Sequence, residues 1–195
     1  MELLLGTTNP GKVEEAQNLL PGSDQGLNLL TREDISFSSV EEDGLTYRAN
    51  AIKKACEIGK ETGFSVFSED AGLEVDALDG RPGPFSARFA GEDSTDERNV
   101  AKLLEELDGV EDRAARFVSV GVLYLSSGRL LVRRGKLRGR IGKIPRGDSG
   151  FGYDPVFIPR GCEKTLAQLG PKIKNRISHR REVLLKIKTQ IFQDL

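Results

Sequence analysis

Hydrophobic positions along this 195-residue chain switch between short continuous runs and recurrence at helical spacing, and the switches mark its elements. Met1 to Thr7 opens as an apolar run that ends in a Thr/Asn/Pro/Gly turn. Beyond it Val13, Ala16, Leu19 and Leu20 recur at helical spacing, so the start reads as strand, loop, helix. Pro10 fits the first turn of that helix, where its missing N–H costs nothing. Leu27 to Thr31 predicts a second strand, and Leu45 to Thr62 a second helix with Tyr47, Ala51, Ala55 and Ile58 on one face. Phe64 to Phe67 predicts a buried strand that delivers Glu69 and Asp70 to its end. Ser94 and Glu97 stand at capping-box spacing ahead of Val100, Leu103, Leu104 and Leu107, which predicts a third helix from Ser94.

Arg116 to Leu125 and Arg129 to Ile141 read as two long strands joined at Ser126-Ser127-Gly128, a hairpin. Phe151 to Ile158 adds an extended piece. Ser178 caps a terminal helix whose Val183, Leu184, Ile187 and Ile191 form its apolar stripe. Strands and helices mixed in this way predict an α/β fold, a long central mixed β-sheet flanked by helices. No repeat or linker divides the chain, so 1–195 is taken as one domain.

Composition narrows the partners more than the fold. With 37% apolar and 30% charged residues and a net charge of −1, nothing global points to nucleic acid or an acidic membrane. A small-molecule partner is expected. Cys56 and Cys162 lack CxxC spacing, so reduced thiols are expected rather than a disulfide framework or a zinc site. The apolar run at the start is too short for a signal-peptide core or a membrane span, which predicts a cytoplasmic protein.

Four stretches could carry chemistry. "GTTNPGKV" sets backbone N–H groups, Thr7, Asn9 and Lys12 at a helix N-terminus, a group of donors that suits phosphate. It differs from a P-loop at Val13, which has no oxygen for magnesium, and it reads equally as a plain helix start with a solvated lysine. Glu69 and Asp70, followed by the small Ala71 and Gly72, suit a hard cation and a closely approaching ligand. The cluster Glu41-Glu42-Asp43 precedes a helix, where the helix dipole alone would account for it. On that helix Lys54 lies beside the apolar stripe whereas Lys53 points away. Near the C-terminus Phe151, Tyr153 and Asp154, then Lys174, Ser178, His179 and Arg180, could read a heterocycle or simply be core and surface residues. Arg129 to Arg146 holds eight basic residues and no acid, but its alternation with Leu131, Val132, Leu137, Ile141 and Ile144 and its lack of aromatics read as a solvated strand face.

Taken in order, "TTNPGKVEE", "EEDGLTYRANAIKKA", "SEDAGLEVDALDGRPGPFSARFAG", "GFGYDP" and "KNRISHR" resemble the inosine triphosphate pyrophosphatase family along nearly the whole chain. The resemblance implies a two-lobed α/β fold with the active site in the cleft, a homodimer, and Mg²⁺ dependence with Mn²⁺ as a substitute. It implies hydrolysis of ITP, dITP or XTP to the monophosphate and pyrophosphate. Thr7, Asn9, Lys12 and Lys54, with the backbone of Ala71 and Gly72, look like the phosphate contacts. Glu42 and Asp70 look like metal ligands, and Asp70 also the group that activates the attacking water. Phe151, Asp154, Lys174, Ser178, His179 and Arg180 look like the base pocket. The family commonly shows two aspartates and a serine where this chain has Glu69-Asp70-Ala71, so the serine hydroxyl is lost. A catalytically inactive nucleotide-binding regulatory module of the same fold is the alternative, and a nucleic-acid protein using the basic strip a third.

Overall fold

The computed structural model describes residues 1–20 and 26–193, with side chains to Ile191. In chain order the elements are β1 (Glu2–Leu5), α1 (Pro10–Leu19), β2 (Asn28–Leu30), α2 (Tyr47–Thr62), β3 (Ser65–Val75), α3 (Asp96–Glu106), β4 (Ala114–Tyr124), β5 (Leu130–Ile141), β6 (Phe157–Pro159), α4 (Leu166–Ile177) and α5 (His179–Gln193). Six strands form one mixed sheet in the order β2-β1-β3-β4-β5-β6. β1 runs parallel to both β2 and β3, and β5 is antiparallel to β6. Parallel neighbours need crossover connections, which α1 and α2 supply. The predicted α/β class with a mixed sheet and flanking helices is therefore what the chain adopts. Among the described residues no helix is long and apolar enough to cross a membrane.

The chain divides into two compact units. The first comprises Met1–Asp70, Ser119–Gly135 and Arg180–Leu195. Its core gathers Leu3 and Leu5 of β1, Ala16 of α1, Phe67 of β3 and Val183, Leu184 and Ile187 of α5. A further cluster joins Leu4, Val66 and Ile58 of α2. The second comprises Ala71–Val118 and Lys136–His179, with a core of Leu73, Val75, Val100, Leu103, Phe117, Ile141, Phe157 and Leu166.

Local chemistry explains where the helices begin. Asn9 caps α1 by accepting from Lys12 N at 3.1 Å, and Pro10 occupies the first turn. Thr46 caps α2, and Gly63, at a φ of 76°, closes it in the left-handed region. α3 starts one residue later than its capping-box spacing predicts, its N-cap moving from Ser94 to Thr95. Thr95, not Ser94, accepts from Arg98 N, because the Ser94 hydroxyl is committed to Asn99 Oδ1 at 2.9 Å. Asn99, 2% exposed, also accepts from Ala90 N at 2.8 Å and donates to Ala87 O at 3.0 Å. It thereby ties the segment 87–94 to α3. Asn99→Leu is expected to lower stability by about 1–3 kcal/mol through the orphaned backbone groups, read by urea denaturation.

Three expectations change. β3 does not end before the acids; it runs through them to Val75, because each carboxylate meets a buried partner. The extended piece at Phe151 to Ile158 shrinks to Phe157–Pro159, since Gly150 and Gly152 hold φ of 84° and 61° and turn the chain. An unpredicted helix, α4, starts at a Thr165/Gln168 capping box. Its Gly170, at a φ of 76° before Pro171, kinks the backbone, and the Gly-Pro pair reads in sequence as a terminator.

Candidate functional site

Side chains of a strand alternate between its faces, so neighbouring Glu69 and Asp70 of β3 point opposite ways. Phe67, two residues before Glu69, packs with α1 and α5, and Val66, four before Asp70, packs against Ile58 of α2. Glu69 accordingly meets α5 and Asp70 meets α2. Both are buried, at 3% and 4% exposure.

On the Glu69 side the Ser119 hydroxyl donates to Oε1 at 2.8 Å and Arg180 Nε donates to Oε2 at 2.6 Å. Arg180 Nη1 also donates to Glu15, so one buried guanidinium bridges two buried carboxylates. Burial disfavours the Arg180 charge, but Glu69 and then Glu15 outweigh it and raise its pKa further.

On the Asp70 side Asn50 Nδ2 donates to Oδ2 at 3.0 Å, while Asn50 Oδ1 accepts from Gly44 N at 2.7 Å. One buried amide thus fixes the loop carrying Glu42 relative to Asp70. Lys54 Nζ donates to Glu42 Oε1 at 2.7 Å and to the backbone oxygen of Glu69 at 2.8 Å. Lys12 Nζ reaches the same oxygen at 3.4 Å. Two ammonium groups therefore converge on one carbonyl, with two carboxylates beside them.

The charges shift one another. Burial pushes the Asp70 carboxyl up to about 6; Lys54 opposes this and the Glu42 charge adds to it. Glu42 is held below its ordinary range because Lys54 overcomes the effect of burial, and a hydrogen bond from Asp70 helps. Lys12 is lowered, first by burial and then by Lys54.

The second unit holds a separate group. Lys174 Nζ donates to Asp154 Oδ2 at 2.5 Å and lies 4.1 Å from the centroid of the Phe151 ring. Phe151 N donates to the same Asp154 oxygen at 3.1 Å. The His179 ring stacks on Phe117 with centroids 4.9 Å apart and planes 13° from parallel. Ser178 ends α4, its N–H donating to Lys174 O at 2.9 Å.

Of the residues read from sequence, Asn9, Lys12, Glu42, Lys54 and Asp70 lie in the first unit, and Thr7 Oγ1 accepts from Asn9 N at 3.2 Å. Ala71 and Gly72 continue β3 into the second unit, which also holds Phe151, Asp154, Lys174, Ser178 and His179. Arg180, expected with the base pocket, has its Nε and Nη1 on Glu69 and Glu15 in the first unit. Sequence reasoning missed Asn50, Ser119, Glu15 and Phe117. Asn50 had a signal, since it lies on the α2 stripe between Tyr47 and Lys54; Ser119 and Phe117 sit inside apolar strand runs and had none.

No group of three or more His, Cys, Asp or Glu side chains stands ready for a metal among the described residues. Glu42 and Asp70 make a pair of oxygen donors. That set fits Mg²⁺, which commonly takes one or two carboxylates and fills its shell with water and substrate phosphate.

Comparison with known proteins gives one consistent answer. The chain is 45% identical over 192 residues to the dITP/XTP pyrophosphatase of Exiguobacterium sp., covering 98% of this chain and 97% of that protein. It is 40% identical over 189 residues to the dITP/XTP pyrophosphatase of Bacillus subtilis, covering 95% and 94%. The structure of the Staphylococcus aureus Ham1 protein superimposes with a TM-score of 0.88 at 35% identity, covering 100% of both chains. That of a HAM1 protein from Coxiella burnetii gives 0.89 at 36% identity, covering 99% of each. The Ham1 family model matches residues 3–190. With fold, sequence and nearly the full length in agreement, the chain belongs to the Ham1 family.

Proposed function

We propose that this protein hydrolyses deaminated purine nucleoside triphosphates (ITP, dITP and XTP) to the monophosphate and pyrophosphate, removing them from the nucleotide pool. The activity named for its relatives supports this reaction. The observation that carries it is the convergence of Lys12 and Lys54 on the Glu69 carbonyl beside Glu42 and Asp70.

In this reading the lysines, with Thr7, Asn9 and the backbone of Ala71 and Gly72, bind a triphosphate carrying about four negative charges. Glu42 and Asp70 hold Mg²⁺, or Mn²⁺ in its place, which when bound neutralises charge on the phosphates. The oxygen of a water bonds to the α-phosphorus, the bond to the β-phosphate bridging oxygen breaks, and pyrophosphate leaves. Asp70 accepts the water proton as the general base. A carboxylate has two oxygens, so ligation and proton acceptance need not compete for one atom.

Phe151, Asp154, Lys174, Ser178, His179 and Arg180 form the base-recognition set. Inosine and xanthine offer an acceptor oxygen at C6 where adenine offers a donor amino group, so a donor such as the Lys174 ammonium separates them. GTP also has a 6-oxo group and is not excluded by this donor alone. Lys174→Met combined with Asp154→Asn, which leaves no unpaired charge, is expected to lower kcat/KM for ITP about 10–100-fold while ATP changes little. An unchanged ITP/ATP ratio would remove these residues from the base site.

The resemblance extends the reading to a cytoplasmic homodimer, the second of which light scattering tests. The reaction is tested by release of pyrophosphate, as distinct from orthophosphate, from ITP, XTP, GTP and ATP with and without Mg²⁺. Metal-dependent pyrophosphate from ITP and XTP, with little from ATP, is the expected outcome. Tight ITP binding without turnover would turn the reading to the inactive regulatory module.

A further inference from the structure

We propose that Lys54 and Glu42 mask each other in the free protein, so that triphosphate and metal each uncover the group the other ligand needs. The proposal rests on the reading of Lys54 as a phosphate contact and Glu42 as a metal ligand.

Lys54 is 7% exposed, and its ammonium is oriented by two oxygens, Glu42 Oε1 at 2.7 Å and Glu69 O at 2.8 Å. A divalent cation approaching Glu42 therefore meets a positive charge already in ion-pair contact with its ligand. A phosphate approaching Lys54 meets a carboxylate on its target donor. Glu42 has a second oxygen and Lys54 a third N–H, so the pair need not break outright, but either ligand alone brings a like charge against one half of it in a mostly buried place, which is costly. Both together exchange one ion pair for two, with Lys54 on phosphate and Glu42 on metal.

Lys12 is the contrast within the same site. Among the described residues its ammonium meets a backbone carbonyl at 3.4 Å and no carboxylate, so phosphate has no ion pair to displace there. The loop that brings Glu42 is laced to α2 at consecutive positions. Glu42 bonds Lys54, Asp43 bonds Lys53 at 2.8 Å, and Gly44 N bonds Asn50 Oδ1 at 2.7 Å. The outer pair, Asp43 with Lys53, is exposed and needs no exchange, which isolates the inner pair as the masked one.

The test measures each ligand in the absence of the other. Mn²⁺ binding is followed by the electron spin resonance of the free ion, without phosphate. Pyrophosphate binding is followed by calorimetry, in excess chelator. Lys54→Met is expected to bind Mn²⁺ alone about 5–150-fold more tightly than the unaltered protein, the usual span of a coupling between two sites. Glu42→Gln is expected to bind metal-free pyrophosphate more tightly, although it has lost a metal ligand. Lys12→Met and Asp43→Asn remove the same charges nearby without unmasking anything. Lys12→Met, whose charge acts less strongly on Glu42 and Asp70, should therefore weaken pyrophosphate and tighten Mn²⁺ by clearly less than Lys54→Met does, and Asp43→Asn should change neither much. Equal gains in the control and the test variants would reduce the effect to net charge and overturn the proposal. So would a Lys54→Met protein no better at holding Mn²⁺, with the triphosphate and metal assignments left standing. Absence of Mn²⁺ and pyrophosphate binding in every form would sink those assignments and the proposal with them. If Lys54→Met does not fold, Glu42→Gln, at a half-buried loop position, answers the question from the other side.

Discussion

Asp70→Asn is expected to cut the rate of pyrophosphate release from ITP by at least about 10²-fold, the scale of a positioned proton-transfer group. The same change is expected to make the metal-free protein more stable at neutral pH. Both outcomes follow from one fact, that burial, helped by Glu42 and opposed by Lys54, lifts this carboxyl to about 6. An ordinary aspartate titrates near 3.9 when unfolded. Between the two values the folded chain binds the proton more tightly than the unfolded one, so this group favours folding below about 4. As pH rises through about 6 that contribution is lost, and above it the ionised, buried carboxylate carries its full penalty. About two pKa units correspond to up to about 3 kcal/mol. Asparagine has no charge to bury, so the stability gain of Asp70→Asn should be absent near pH 4 and complete by pH 8. Chemical denaturation in a chelating buffer at several pH values reads the gain, and pyrophosphate release reads the loss. A variant that turns over normally ends the assignment of Asp70 to catalysis. A variant with a pH-independent stability change ends the account of its environment.

Arg180→Ala is expected to lower stability by about 3–5 kcal/mol, because it leaves Glu69 and Glu15 facing each other with no guanidinium between them. If Arg180 belongs to the base pocket, as the resemblance implies, the same change also narrows the preference for ITP over ATP. Loss of this buried cation would depress activity toward every substrate before any selectivity could be read. The two effects separate by design. Arg180→Met together with Glu69→Gln and Glu15→Gln replaces the charged triad by neutral groups of similar shape, and this is expected to recover most of the lost stability. In that background an ITP/ATP ratio that stays wide removes Arg180 from base recognition, and a narrowed ratio keeps it there.

The triad also gives a physical meaning to Glu69, where the resemblance leads one to expect an aspartate. Glu69 faces away from Asp70 and is spent on Arg180 and Ser119. Its side chain braces β3 against α5, while its backbone carbonyl orients both lysines. No sequence pattern separates those two roles, since an acid beside an acid at a strand end reads as a pair of ligands. The alternation of β3 is what divides them.

Most strands and helices were legible because their signals are local. Asn9 ahead of Pro10, Gly63 after the α2 stripe, and the Ser126-Ser127-Gly128 turn each act within a few residues. The missed features depend on distant partners. β3 runs through Glu69 and Asp70 only because Arg180, Ser119 and Asn50 satisfy the acids, and these partners lie 111, 50 and 20 residues away along the chain. The start of α3 moved to Thr95 because Ser94 found Asn99. α4 had a readable capping box at Thr165, but Gly170-Pro171 masks it by ending the pattern early.

By itself the sequence determined the α/β class, the caps and turns that start and stop most elements, and, through its ordered motifs, the family. Those properties reside in residue type and short spacing. Tertiary structure alone decided which lysine pairs with a carboxylate and which rests on a carbonyl alone, which acid is a brace and which is lifted by burial, and where Arg180 spends its charge. Each of these depends on what stands within a few ångströms in space. Burial sets the value of a charge there, and one sequence read alone does not hold that distance.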